Sequence, residues 1–261
     1  MNIFKRLYDY RELLKTNIKK EIRGKYKGSF LGVLWSFVNP LLTVLVYAIV
    51  FPYILRVQED NYLIYLIVGI IPWNFFTTVI SQGTTSVLAN GGIIKKVYFP
   101  REILPISVAT SGLVNFLISC FIILAFVIGS GIGLSWYLIF LPIVIIIQYL
   151  LQLGIIFILS AINVYVRDIE YITNFFVTML FYGTPILYSL NNLEGSKASI
   201  FKNIINLNPM TQIISAYRDI FYYQRMLNFM NLLYVGIFSV ILVIIGYQIF
   251  KKLSKGFAEE V

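Results

Sequence analysis

The chain has 261 residues, of which 59% are hydrophobic and only 13% charged, with a mean hydropathy of +0.81 and a net charge of +9. A soluble domain carries roughly a quarter of its residues as charges, so this composition excludes an ordinary water-soluble fold. Histidine is absent and Cys120 stands alone in an apolar run. That removes the commonest general base and metal ligand, and any disulfide framework within the chain.

Residues 1–31 alternate charge with an apolar stripe of Phe4, Leu7, Leu14, Ile18 and Ile22. The spacing predicts an amphipathic helix lying along the inner headgroups, with Lys and Arg toward water and anionic lipid. With so many polar, basic residues ahead of the first apolar run, a cleavable signal peptide is not expected. The stripe leads into Arg23-Gly24-Lys25-Tyr26-Lys27-Gly28-Ser29-Phe30-Leu31-Gly32. Its three glycines predict a break where the backbone turns into the bilayer. Gly28 and Gly32 also form a G-x-x-x-G pair, a weak packing signal beside the turn role.

Beyond this point charge is confined to a few places. No Asp, Glu, Lys or Arg occurs between Lys27 and Arg56, Asn61 and Lys95, Glu102 and Arg167, Glu170 and Glu194, or Arg225 and Lys251. A helix crosses the hydrocarbon layer in about 20 apolar residues, and a charge held at mid-membrane costs on the order of 3 kcal/mol. The gaps therefore predict transmembrane helices at residues 32–55, 62–82, 103–128, 136–162, 171–190 and 229–250. Gly129-Ser130-Gly131-Ile132-Gly133 separates the third from the fourth. The fold class is all-α integral membrane: residues 1–31 as interfacial helix and turn, residues 32–252 as six-helix domain, residues 253–261 as a short cytoplasmic tail. An even number of spans places both ends on one side. If that side is the cytoplasm, 16 of the 21 Lys and Arg lie inside, as the positive-inside rule requires. The same distribution accounts for the basic charge without nucleic acid.

The inner segment at residues 82–104 is too long for a tight turn and sets aromatics among cations in Lys95-Lys96-Val97-Tyr98-Phe99-Pro100-Arg101. Such a surface suits docking of a cytoplasmic partner, with headgroup anchoring as the alternative. Arg167-Asp168 and Arg218-Asp219 are expected to be local salt bridges or caps. Between the last two spans, Asn208 before Pro209 predicts an N-cap with proline at the first helical position. Two short helices on the outer face, half immersed or re-entrant, would follow. The chain has no phosphate-binding loop to supply energy. Among its aromatics, Trp73, Phe75, Phe76, Tyr182 and Tyr188 are candidates to line a path for sugar rings, against belt or packing roles.

Several of these motifs, in order, give the chain a family likeness. They are Arg23 to Ser29 with Leu31-Gly32, Trp35 and Asn39-Pro40; Gly69-Ile70-Ile71-Pro72-Trp73-Asn74-Phe75-Phe76; and Lys96-Val97-Tyr98-Phe99-Pro100 with Pro105. Arg167-Asp168, Thr184-Pro185-Ile186-Leu187-Tyr188 and Asn208-Pro209-Met210 complete the set. Together the pattern resembles the permease subunits of type 2 ATP-binding-cassette exporters of cell-surface polysaccharide, the group handling O-antigen, teichoic acid and capsule. The resemblance implies a homodimer in a bacterial cell membrane, both termini cytoplasmic, with two copies of a separate ATPase. ATP and Mg would bind that partner and no cofactor would bind this chain; a lipid-linked glycan would move outward. It further implies a coupling helix at about residues 90–101, seated in the ATPase and including Lys95 to Arg101. An N-terminal loop with Arg23, Lys25, Tyr26, Lys27, Leu31 and Gly32 would lie near the inner channel mouth. An exporter of a drug or small lipid is the alternative within the superfamily. A membrane enzyme acting on lipid-linked sugars is disfavoured by the missing histidine and paired carboxylates.

Overall fold

The computed structural model describes residues 8–26, 28–30, 32–55, 61–189 and 198–261. Phe4, Leu7, Lys27, Leu31, Arg56 and residues 190–197 lie outside the described residues. The described chain is helical, with no strand among its residues. The helices are α1 (Arg11–Tyr26), α2 (Trp35–Leu55), α3 (Tyr62–Thr85), α4 (Gly91–Ile94), α5 (Ile103–Gly129) and α6 (Leu141–Tyr165). They continue with α7 (Ile169–Tyr182), α8 (Ala198–Leu207), α9 (Pro209–Phe221), α10 (Phe229–Leu253) and α11 (Phe257–Glu260). Among the described residues four helices, α3, α5, α6 with its lead-in from Trp136, and α10, are long and apolar enough to cross a bilayer. Helix is the form in which an isolated segment satisfies its own backbone in hydrocarbon.

Helix α3 is the centre of the bundle. Of its most apolar window 78% is buried, against 22% for α10, which lies at the edge. Helices α6 and α10 approach backbone to backbone: a Cβ on Gly246 would lie 2.5 Å from the Gly154 carbonyl oxygen. Pro72 sits inside α3, and Gln148 of α6 donates its amide to the Pro72 carbonyl (2.8 Å) while accepting from the Tyr217 hydroxyl of α9 (2.8 Å). Three helices are thereby joined through polar groups fully shielded from solvent.

Several local expectations are corrected. Helix α1 runs through Gly24, and the break falls at Gly28 (φ +79°) and Gly32 (φ +50°), left-handed values that glycine adopts without a Cβ clash. Open space around both assigns them to the turn rather than to close packing. Helix α1, expected to lie along headgroups, packs part of its apolar side on protein: Leu13 and Leu14 rest against the core. The helix predicted for residues 171–190 stops at Tyr182. Pro185 brings no N–H and disfavours helical backbone at Thr184, so residues 183–189 leave the helix. Arg167 and Asp168 make no ion pair among the described residues. Instead Asn163, buried on α6, accepts the Glu170 N–H at the start of α7 (3.1 Å) and donates to the Thr84 carbonyl (3.2 Å).

Candidate functional site

At one end of the bundle, α3 passes through a 3₁₀ turn (Leu88–Asn90) into α4, and the chain then runs irregularly from Lys95 to Arg101 before α5. The sequence-predicted docking residues divide here. Lys95, Lys96 and Val97 are exposed and Tyr98 is 93% exposed, with Ile93 beside them. Phe99 is only 6% exposed and belongs to the core, so it anchors the segment instead of presenting a surface. Pro100 and Arg101 are half-buried. Lys20 of α1 donates to the Asn90 side chain (2.8 Å), which ties the N-terminal helix to the same segment. Arg23 is exposed and Gly32 forms the turn; the side chains of Lys25 and Tyr26 lie outside the described residues.

Within the bundle a cavity of 460 Å³ opens between α2, α3 and α5, inside the size range of ligand pockets. Asn39 and Thr43 of α2, Asn74, Thr77 and Thr78 of α3, and Asn115 and Ser119 of α5 give it a polar lining. Trp35, Phe75 and Phe116 supply aromatic walls, and Phe75 and Phe116 stack at 4.8 Å. No Asp, Glu, Lys or Arg is among the lining residues. The hydroxyls of Thr43, Thr77 and Ser119 donate to carbonyls of their own helices. The Asn115 Oδ1 is buried with no hydrogen-bond partner among the described residues. An orphan amide oxygen in a low-dielectric bundle costs about 1–3 kcal/mol, so the site gains by holding water or a hydroxyl-bearing ligand.

Of the predicted path aromatics, only Phe75 lines this cavity. Trp73 and Phe76 are core residues packed on each other (5.2 Å), with Trp73 also against Phe181 (5.8 Å). Tyr182 is exposed, and Tyr188, half-buried, donates to the Tyr182 carbonyl (3.1 Å). Sequence reasoning passed over Asn115 and Ser119 as lining residues. The available signal was an uncompensated amide at the middle of a long uncharged run, which a lipid-facing position does not tolerate cheaply.

The family model for the ABC-2 type transporter matches residues 12–222, most of the chain, including the segment from Lys95 to Arg101 and the cavity. The chain belongs to the ABC-2 type transporter family. The O-antigen export system permease protein RfbA of Myxococcus xanthus is 33% identical over 261 residues, covering 100% of both chains. Two proteins of the same description from Klebsiella pneumoniae are 35% identical over 253 residues and 36% over 250, each covering 95% of this chain and 94% of the relative.

In this ABC-2 family member the opposite end of the bundle is closed by an arginine. Arg218 of α9 is 4% exposed, and its guanidinium donates to the carbonyls of Pro185 (2.5 Å) and Ile186 (2.8 Å). Its Cζ lies 3.5 Å from the centre of the Tyr65 ring. The hydroxyls of Tyr62 and Tyr65 donate to the carbonyls of Leu187 and Tyr188 (both 2.8 Å). The unwound segment after α7 therefore has its backbone acceptors met from α3 and α9. Asp219 does not pair with its neighbour but accepts from Arg225 (2.6 Å). Burial pushes the Asp219 carboxyl above its usual range, and Arg225 pulls it part of the way back. Asn208 caps α9 as expected, accepting the Met210 N–H (3.0 Å), and its amide donates to Thr184 (2.9 Å).

Proposed function

We propose that this chain is the membrane permease subunit of an ATP-driven exporter that moves a lipid-linked polysaccharide from the cytoplasmic to the outer face of the cell membrane. It would work as a homodimer with two copies of a separate ATPase, which binds ATP and Mg. The observation that carries this reading is the docking segment. Ile93, Val97 and Tyr98 stand exposed beside Lys95 and Lys96 while Ile94 and Phe99 are sunk in the core. An apolar-cationic knob on a fixed base is what a partner needs in order to push on a bundle that has no energy source of its own. The relatives named as O-antigen export permeases support the same conclusion.

Six crossings with both termini in the cytoplasm agree with the placement of Lys and Arg and put the docking segment within reach of a soluble ATPase. On this reading α2 and α7 are the remaining two crossings, and α8 and α9 cover the outer side. The cavity favours glycan over a hydrophobic drug. Its amides and hydroxyls match sugar hydroxyls, and its aromatic walls match the apolar faces of sugar rings, while nothing in its lining is charged.

The test is purification of the permease with its ATPase. Val97→Ala with Tyr98→Ala should leave membrane insertion intact but abolish co-purification of the ATPase and glycan export. Full export by the double variant would remove the docking role. For cargo, Asn74→Leu and Asn115→Leu should lower glycan export at normal expression. ATP hydrolysis that responds to hydrophobic drugs and ignores lipid-linked glycan would favour the drug exporter.

A further inference from the structure

Within residues 253–261, expected to be a short cytoplasmic tail, residues 254–261 fold back onto the docking segment. Phe257 is completely buried, with its ring centre 5.4 Å from Phe250 and 6.2 Å from Tyr165. The Arg101 guanidinium lies over its face (5.7 Å) and also donates to the Ser254 carbonyl. The Tyr165 hydroxyl donates to the Leu253 carbonyl (2.7 Å), and Gly256 lets that ring approach, since a Cβ there would meet the hydroxyl at 2.6 Å. At the other end of the segment, Val261 packs on Gly91, where an added Cβ would run into the Val261 side chain.

Both limits of the docking segment, Gly91 and Arg101, therefore rest on this short stretch. Phe250 lies in the last turn of α10, and Tyr165 is the last residue of α6. Covalently, the docking segment connects only to α3 and α5. Through Phe257 it is also joined to α6 and α10, the pair whose backbones meet at Gly154 and Gly246. A cluster of interlocked rings is stiff, because protein interiors are packed near crystal density and transmit displacement.

We propose that residues 254–261 form a bracket, with Phe257 as its positioning residue, that carries movement of the docking segment into the α6–α10 pair during transport. The bracket rests on the proposed function only for what pushes on the segment; the contacts themselves belong to this chain.

The experiment uses the permease alone and in complex with its ATPase. In the permease alone, Phe257→Ala should speed amide hydrogen exchange across residues 91–101 by about tenfold, and unchanged exchange would overturn the bracket. In the complex, the variant should keep its ATPase and its ATP hydrolysis, while glycan exported per ATP falls by about tenfold; Phe257→Leu should restore most of it. Unchanged export per ATP, or loss of the ATPase itself, would overturn the proposal, the latter by reducing the stretch to part of the docking surface. A disulfide between Gly91→Cys and Val261→Cys, made with Cys120→Ala, should leave export running, because the bracket moves as one body. Export abolished by oxidation and restored by reduction would mean a latch that must open, and would overturn it. A wild-type complex that fails to export glycan sinks the functional reading alone, and leaves the exchange result standing.

Discussion

Replacing Arg218 tests how the unwound segment after α7 is held. Arg218→Leu removes the donors to two shielded carbonyls, Pro185 and Ile186. Each carbonyl left unmet costs about 1–3 kcal/mol. The stacked cation over Tyr65 contributes about 2 kcal/mol more when desolvated. Against this stands the relief of no longer keeping a guanidinium out of water, worth several kcal/mol. The balance is a local destabilisation of about 3 kcal/mol, or roughly a hundredfold in the opening equilibrium. Arg218→Lys keeps the charge without the planar fork, and should cost about half as much. Ser189 is buried at the end of the segment, so Ser189→Cys in a Cys120→Ala background reports opening through its rate of maleimide labelling. Arg218→Leu should raise that rate about a hundredfold and Arg218→Lys about tenfold. Labelling within about threefold of the parent would refute the idea that the arginine secures these carbonyls.

Three further outcomes are expected. Phe99→Ala should lower stability by about 3–5 kcal/mol as a core truncation, seen as a lower unfolding temperature in detergent, whereas Tyr98→Ala should leave that temperature unchanged. Tyr217→Phe strips the donor from the buried Gln148 carbonyl and should cost about 1–3 kcal/mol in the same assay; a neutral result would mean that water replaces the hydroxyl. Because the Asp219 carboxyl lies above its usual range in the folded chain, its contribution to stability is greatest in acid and is lost as pH rises through the folded-state value. Asp219→Asn should therefore flatten the stability profile from the ordinary carboxylate range up to the folded-state value, and an unchanged slope there would contradict the assignment.

The bilayer constraint is local and one-dimensional, which is why so much was legible in the chain itself. Long uncharged runs must become helices whatever they pack against, so α3, α5, α6 and α10 follow from charge spacing alone. Capping and turn chemistry is similarly local: Asn208 with Pro209, the glycines after α5, and the stop that Pro185 imposes all depend on backbone sterics within a few residues. That stop was nonetheless overlooked, because an uncharged run scores as a span by its side chains, and where its backbone carbonyls find donors is invisible to hydropathy. Which partner meets those carbonyls is decided thirty residues later by Arg218, which sequence position had assigned to an outer surface. Likewise Tyr98 and Phe99 are adjacent and chemically alike, and only packing sends one to solvent and the other to the core. The uncharged cavity and the bracket around Phe257 arise where three or four helices converge. Composition and charge spacing determined that this chain lives in a membrane and where its four long apolar helices lie. Tertiary packing alone decided which polar groups are answered, because hydrogen bonds between helices depend on distances that no linear pattern encodes.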